Sequence, residues 1–324
     1  MTIKVIIPYV GDAFPPYFPL FLKSAEYADF IDFLFVTDLE LPPEHPSNVR
    51  KVHCSSDELV SRAKGKLGIN LDLTYPYKLC DLKPAYGHLF EDLLTDTDWW
   101  GIGDIDLVLG DFHSLKAEGI FDQFDIISFR QHWLSGSLAF FRNNEVNRIL
   151  YQASPDWKKV FEQARYVGFD EAARLPNKRD NIYDNLRNGE SLQDLNTTCH
   201  SFSEVVFFHE HGQRLYFQNR IKEFIAEDEL IHFKDGHVLA KRGTAAPASF
   251  LHYHWVTEKR SYKFSYPDWE TIPNEFWVSH YGFHRNHENV ASEIADRKQK
   301  ARAPKAHELV TKRLLGGLKR RLWK

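Results

Sequence analysis

Short apolar runs separated by helix-patterned stretches recur through the first half of the chain, and this alternation restricts the fold more than any other feature. The runs are Val5 to Val10, Phe33 to Thr37, Val49 to His53, Trp99 to Ile102, Asp125 to Arg130 and Ser137 to Phe141. Between them, Pro19 to Tyr27 carries Leu20, Phe21, Leu22 and Ala25, and Lys83 to Leu94 places Ala85, Leu89, Phe90, Leu93 and Leu94 on one helical face. Strands alternating with helices pack as an α/β sheet, mostly parallel, which takes ligands at the carboxyl ends of its strands. With 324 residues, 43% of them hydrophobic, the chain can bury one large core.

The run Trp99 to Asp106, WWGIGDID, ends in two carboxylates. Residues two apart in an extended segment point to the same side, so Asp104 and Asp106 can converge on one cation where a buried strand leaves the core. Carboxylate oxygens suit Mg2+ or Mn2+, which take their remaining ligands from water and substrate phosphates. Asp96 and Asp98 share the spacing but sit in the polar turn DTD. The carboxyl ends of the first and second strands add Pro8, Tyr9, Val10 and Asp38 to the same expected crevice.

Other features remove alternatives. PYVGDAFPP contains neither GxGxxG nor GxxxxGK[ST], so a Rossmann dehydrogenase or a P-loop loses its main support. Cys54, Cys80 and Cys199 form no CxxC pattern, which argues against a disulfide framework or structural zinc and suits the cytoplasm. The first apolar run, broken at Pro8, reads as a buried strand rather than a signal peptide, and no stretch approaches a membrane span. Residues 291–324 hold 11 Lys and Arg against 3 acids, leaving an acidic body with a basic tail. Within that tail, apolar residues from Val310 to Leu322 approximate one face of a helix that fits an anionic membrane surface. A docking helix for another subunit is the competing expectation, and nucleic acid suits an acidic body poorly.

Three further segments carry candidate chemistry. In HWLSGSLAFFRN, Gly136 lets the backbone approach a ligand closely. YVGFDEAARLP places Asp170 and Glu171 together, at what reads as a helix start, where the dipole alone would favour acids. FLHYHW offers His252 and His254 among aromatics; His209 and His211 repeat the spacing, and no HExxH accompanies either pair.

In this order the segments IIPYV, YKLCDLKPAYG, GDID, LSGSLAFF, FDE and LHYHW resemble the GT-A glycosyltransferases, retaining families 8 and 32 in particular, over about residues 3 to 255. They are also similar to bacterial transferases of surface-polysaccharide synthesis. Ser135 stands where family 8 has Asn, FDE replaces a DQD-type segment, and the loop after His254 lacks GxxKPW.

The resemblance implies a GT-A domain over residues 1–290, with 143–202 as an acceptor-side insertion and 291–324 as the tail. It also implies a metal-dependent transfer of sugar from a nucleotide donor, UDP-linked by preference and with retention, to a surface glycan or lipid-linked acceptor at the inner membrane face. Asp104, Asp106 and His254 or His252 would hold Mn2+ or Mg2+, with Asp104 also at the ribose. Lys78, Asp81 and Lys83 would contact donor sugar or phosphate, and Asp170 and Glu171 would face the acceptor as catalytic residues, one of them the general base in an inverting enzyme or the stabiliser of an oxocarbenium-like transition state in a retaining one. The competing readings are a nucleotidyltransferase acting on sugar phosphates and a non-catalytic carbohydrate-binding protein of the same shape.

Overall fold

The computed structural model describes residues 1–177, 181–222, 225–240, 250–252, 264 and 266–302. Its centre is a seven-stranded mixed sheet built from β1 (Ile3–Pro8), β2 (Ile31–Thr37), β3 (Val49–His53), β4 (Trp99–Gly103), β6 (Ile126–Ser128), β7 (Leu138–Arg142) and β8 (Leu215–Phe217). The spatial order is β3-β2-β1-β4-β7-β6-β8. β1 pairs in parallel with β2 on one side and with β4 on the other, whereas β7 runs antiparallel to both β4 and β6. The chain leaves β1 for β2 and β3 on one side and returns from β3 to β4 on the other, so the switch point where such sheets form a ligand crevice falls between the carboxyl ends of β1 and β4.

Side-chain alternation places one hydrophobic cluster on each face of the sheet. Ile6, Trp100, Ile102 and Phe141 face the helix Ser56–Leu67, the turns of residues 79–94 and the helix Phe202–Phe208. Val5, Ile7, Trp99 and Phe140 face the helices Phe18–Ala25 and Phe112–Ala117. The glycines of WWGIG belong to this second face. A Cβ on Gly101 would lie 2.9 Å from the Phe140 ring, and one on Gly103 would lie 3.0 Å from a Val5 methyl. Neighbouring side chains fill the space the glycines leave, so β4 can be buried throughout.

The expected helix from Lys83 to Leu94 is instead a series of short turns, Leu79–Leu82, Lys83–Ala85, Tyr86–Leu89 and Glu91–Leu93. Pro84 removes a backbone donor and bends the chain, so the apolar face survives while the regular helix does not. Two smaller sheets complete the body. One comprises β5 (Leu107–Leu109), β9 (Ile221–Lys222) and β12 (Phe250–His252). The other comprises β10 (Leu230–Lys234), β11 (His237–Ala240), β13 (Glu275–Ser279) and β14 (Gly282–His284). The last two of these strands went unread in the sequence. The helix His287–Arg302 follows them; among the described residues no helix is long and apolar enough to cross a membrane.

Candidate active site

β4 delivers Asp104 and Asp106 to the crevice through one turn. The Asp104 amide donates to the Ser137 carbonyl at 2.9 Å, which fixes the end of β4 against the start of β7. The Asp104 side chain is 30% exposed and accepts at 2.5 Å from Lys83 Nζ, whereas Asp106 is largely buried. β12 pairs antiparallel with β5, and its register sets His252 opposite Leu107, beside Asp106 in the chain. His254 and the expected tail helix from Val310 to Leu322 lie outside the described residues, as do Tyr253 and Trp255.

Lys83 is the hub of the site. Its ammonium also donates to the Gly136 carbonyl at 2.7 Å and stands 4.0 Å from Asp170 Oδ2. Burial by itself would lower its pKa, but Asp104, with Cys80 and Asp170, more than offsets that and holds it well above the ordinary lysine value. Lys83 is placed between two carboxyl groups, 4.0 Å from that of Asp170.

Asp170 and Glu171 occupy a tight turn rather than the expected helix start; the next helix begins only at Ile182. A helix dipole accordingly does not account for these acids. The turn is closed by the amides of Glu171 and Ala173, both donating to the Gly168 carbonyl. Gly168 has φ +80° and Ala173 has φ +60°, a left-handed conformation that costs a non-glycine residue on the order of 1 kcal/mol. Such strain persists only where the surroundings over-determine the backbone.

The two acids differ in environment. Both Glu171 oxygens are engaged: Oε1 accepts from the Gly136 amide at 2.9 Å, and Oε2 accepts from the Tyr183 hydroxyl. Asp170 is 2% exposed, and among the described residues its Oδ1 has no hydrogen-bond partner. Burial pushes its carboxyl well above the usual range; Lys83 opposes this, and Glu171, Asp81 and Asp104 add to it. Buried polar atoms are ordinarily paired, so this oxygen is an acceptor that a bound group could use. Gly136 is required where it stands, because a Cβ there would lie 2.4 Å from Asp170 Oδ2 and 2.9 Å from Glu171 Cγ.

Lys78 and Asp81, expected to touch the donor, lie in the core of the structure. Both are completely buried and pair with each other at 2.8 Å. Pro8, Tyr9 and Val10 follow β1 at the crevice rim, and the Tyr9 amide donates to the Val36 carbonyl at 3.0 Å. Asp38 is exposed beyond β2. His209 and His211 end the helix Phe202–Phe208, where both ring nitrogens of His211 bond to backbone, so that pair is structural.

Several neighbours of the site were not legible beforehand. Tyr17, at the start of the helix Phe18–Ala25, has its phenol pushed upward by burial and then by nearby Asp106 and Asp104. Tyr183 anchors Glu171 from residues distant in sequence. Only chain proximity after folding singles these tyrosines out. A separate cavity of about 410 Å³ lies beyond the ends of β2 and β3, lined by Val52, Cys54, Glu58, Arg62 and Phe90 among others, and shares no lining residue with the Lys83 site. Its polar groups are already engaged, Glu58 in the cap of the helix Ser56–Leu67 and Arg62 with Asp92.

Among the described residues no group of three His, Cys, Asp or Glu side chains forms a metal cage. The donor chemistry nevertheless fits a hard divalent cation: two carboxylates at one strand end, with a backbone register that sets a histidine-bearing strand alongside.

The sheet and this strand-end cluster define an α/β protein with its candidate chemistry at a topological switch point. The chain belongs to a family of unknown function (DUF6625), whose profile matches residues 5–287. No curated protein matches it. Among solved structures it is similar to the galactosyltransferase LgtC in complex with donor and acceptor sugar analogs, at 11% identity and a TM-score of 0.34, over 78% of this chain and 87% of that one. An active-site mutant of LgtC matches at 10% identity and a TM-score of 0.35 over the same shares.

Proposed function

We propose that this chain is a metal-dependent glycosyltransferase that moves a sugar from a nucleoside diphosphate, UDP by preference, to a glycan or lipid-linked acceptor. The observation that carries this reading is Lys83, fixed between Asp104 and Asp170 at the mouth of the β1/β4 crevice. A nucleotidyltransferase acting on sugar phosphates needs cationic groups after β1, and PYVGDAFPP supplies none.

Asp104 and Asp106, with His252 or His254, would hold Mn2+ or Mg2+, which supplies Lewis-acid compensation for the charge of the departing diphosphate. Pro8, Tyr9 and Val10, at the end of β1, would lie on the nucleotide side of the site. Lys83 orients Asp104 and keeps positive charge beside the reacting centre. In the transfer the bond between the anomeric carbon and the phosphate oxygen breaks, its electron pair leaving with the diphosphate. The acceptor oxygen then bonds to that carbon. With retention, the acceptor's proton passes to the released phosphate oxygen.

Asp170 is the better candidate for the carboxyl that faces the reacting carbon, since one of its oxygens is open while both of Glu171's are engaged. Glu171 is assigned to positioning, through Gly136 and Tyr183. The test is mass spectrometry of UDP-sugar turnover with Mn2+. Wild type is expected to consume at least one nucleotide sugar, and Asp170→Asn to lose about 100-fold or more in kcat. Equal turnover by the variant would remove Asp170 from the chemistry.

A further inference from the structure

We propose that the buried Lys78–Asp81 pair is a clamp that positions the turn carrying Asp170 relative to Lys83. This rests on the glycosyltransferase reading for its kinetic consequence and on geometry alone for the clamp.

An ion pair removed from water stabilises a fold poorly compared with well-packed apolar residues, so what the pair holds is more informative than that it exists. Lys78 Nζ carries three protons. It donates to Asp81 Oδ2 at 2.8 Å, to the Val160 carbonyl at 2.5 Å and to the Arg165 carbonyl at 3.2 Å. Asp81 in turn accepts from the Val167 amide at 3.1 Å and from the Phe169 amide at 2.8 Å. Beyond the pair itself, each of these bonds goes to the backbone of residues 160–169, which leads directly into Asp170.

The other end of the clamp is equally specific. Lys78 and Asp81 lie in the same run of short turns as Lys83, between Pro76 and Ala85. That run sends Lys83 to Asp104 and Gly136, and sends the pair to the 160–169 backbone. One rigid segment thereby fixes both partners of the 4.0 Å approach between Lys83 and Asp170. From the far side, the Phe202 amide donates to the Phe169 carbonyl and the Ser203 amide to the Glu171 carbonyl, so the turn is held from two directions.

The experiment compares wild type with Lys78→Met and with Asp81→Asn, the second keeping side-chain shape if the first folds poorly. Hydrogen–deuterium exchange is read on peptides covering residues 160–173 and, as an internal reference, on β1 and β4. Sugar-nucleotide turnover is measured on the same samples. The clamp predicts exchange about tenfold faster in 160–173 with β1 and β4 unchanged. It also predicts a kcat lower by about tenfold or more, with the donor KM within about threefold. Unchanged exchange in 160–173 in a folded variant overturns the clamp, as does loosened exchange with full kcat. Should wild type turn over no sugar nucleotide, the functional reading fails by itself and the exchange comparison still decides the clamp.

Discussion

At the scale of single residues, the site is a set of mutual constraints around Gly136. Its carbonyl accepts from Lys83, its amide donates to Glu171, and its missing side chain leaves room for Asp170. Replacing it with Ala inserts a methyl at 2.4 Å from Asp170 Oδ2. Overpacking of this kind costs about 1–3 kcal/mol, and here the strain falls on the Asp170 carboxyl, which the proposed reaction needs in place. Gly136→Ala is therefore expected to lower kcat by more than tenfold while the chain still folds, as checked by turnover together with urea denaturation. Full activity in the variant would mean that Asp170 and Glu171 can shift without consequence. The sequence exposed Gly136, Asp170 and Glu171 as candidates but could not divide labour between the acids. That division comes from Tyr183 and from burial, both products of long-range packing.

At the scale of elements, the far edge of the sheet is joined by one carboxylate. Asp125, just before β6, accepts from Arg142 Nε at the end of β7 at 2.7 Å, and from the Arg214 side chain at 2.9 Å and amide at 3.0 Å just before β8. The Arg214 guanidinium, against the opposing effect of burial, then the Arg214 amide and Arg142, holds the Asp125 carboxyl well below the usual carboxylate range. A depressed folded-state pKa contributes stability that is fully present above the unfolded value near 3.9 and is lost as pH falls towards the folded value. Asp125→Asn should therefore cost about 2 kcal/mol at pH 7 and progressively less below about pH 4. Urea denaturation of both chains at pH 7 and pH 3 checks this; an equal deficit at both would show that the ion pairs are not its source.

Element positions were largely legible because apolar runs report buried strands directly, and Val49 to His53 coincides with β3. The turns around Pro84 were misread as a helix because periodicity survives in consecutive short turns whose hydrogen bonding is irregular. The burial of the Lys78–Asp81 pair is illegible in the sequence for a different reason. A lysine and an aspartate three apart look the same on a surface as in a core, and only the carbonyls of Val160 and Arg165 reveal where they point.

For the whole molecule, strand order converts scattered acids into a site. β2 and β4 flank β1 on opposite sides, which sets the switch point at the carboxyl ends of β1 and β4, and β4 ends there with Asp104 and Asp106. The alternation of elements foretold the α/β sheet; the antiparallel β7 and the small sheet of β10, β11, β13 and β14 depend on pairings between residues far apart in the chain.

The central claim, that this lip binds a nucleoside diphosphate through a divalent cation, is tested most directly by calorimetric titration of UDP into wild type and Asp106→Ala, each with and without Mn2+. Binding by wild type that tightens at least tenfold with Mn2+, and loses that tightening in Asp106→Ala, is the predicted result. Absence of nucleotide binding by wild type with Mn2+ present, or identical Mn2+-dependent binding by the variant, would contradict it.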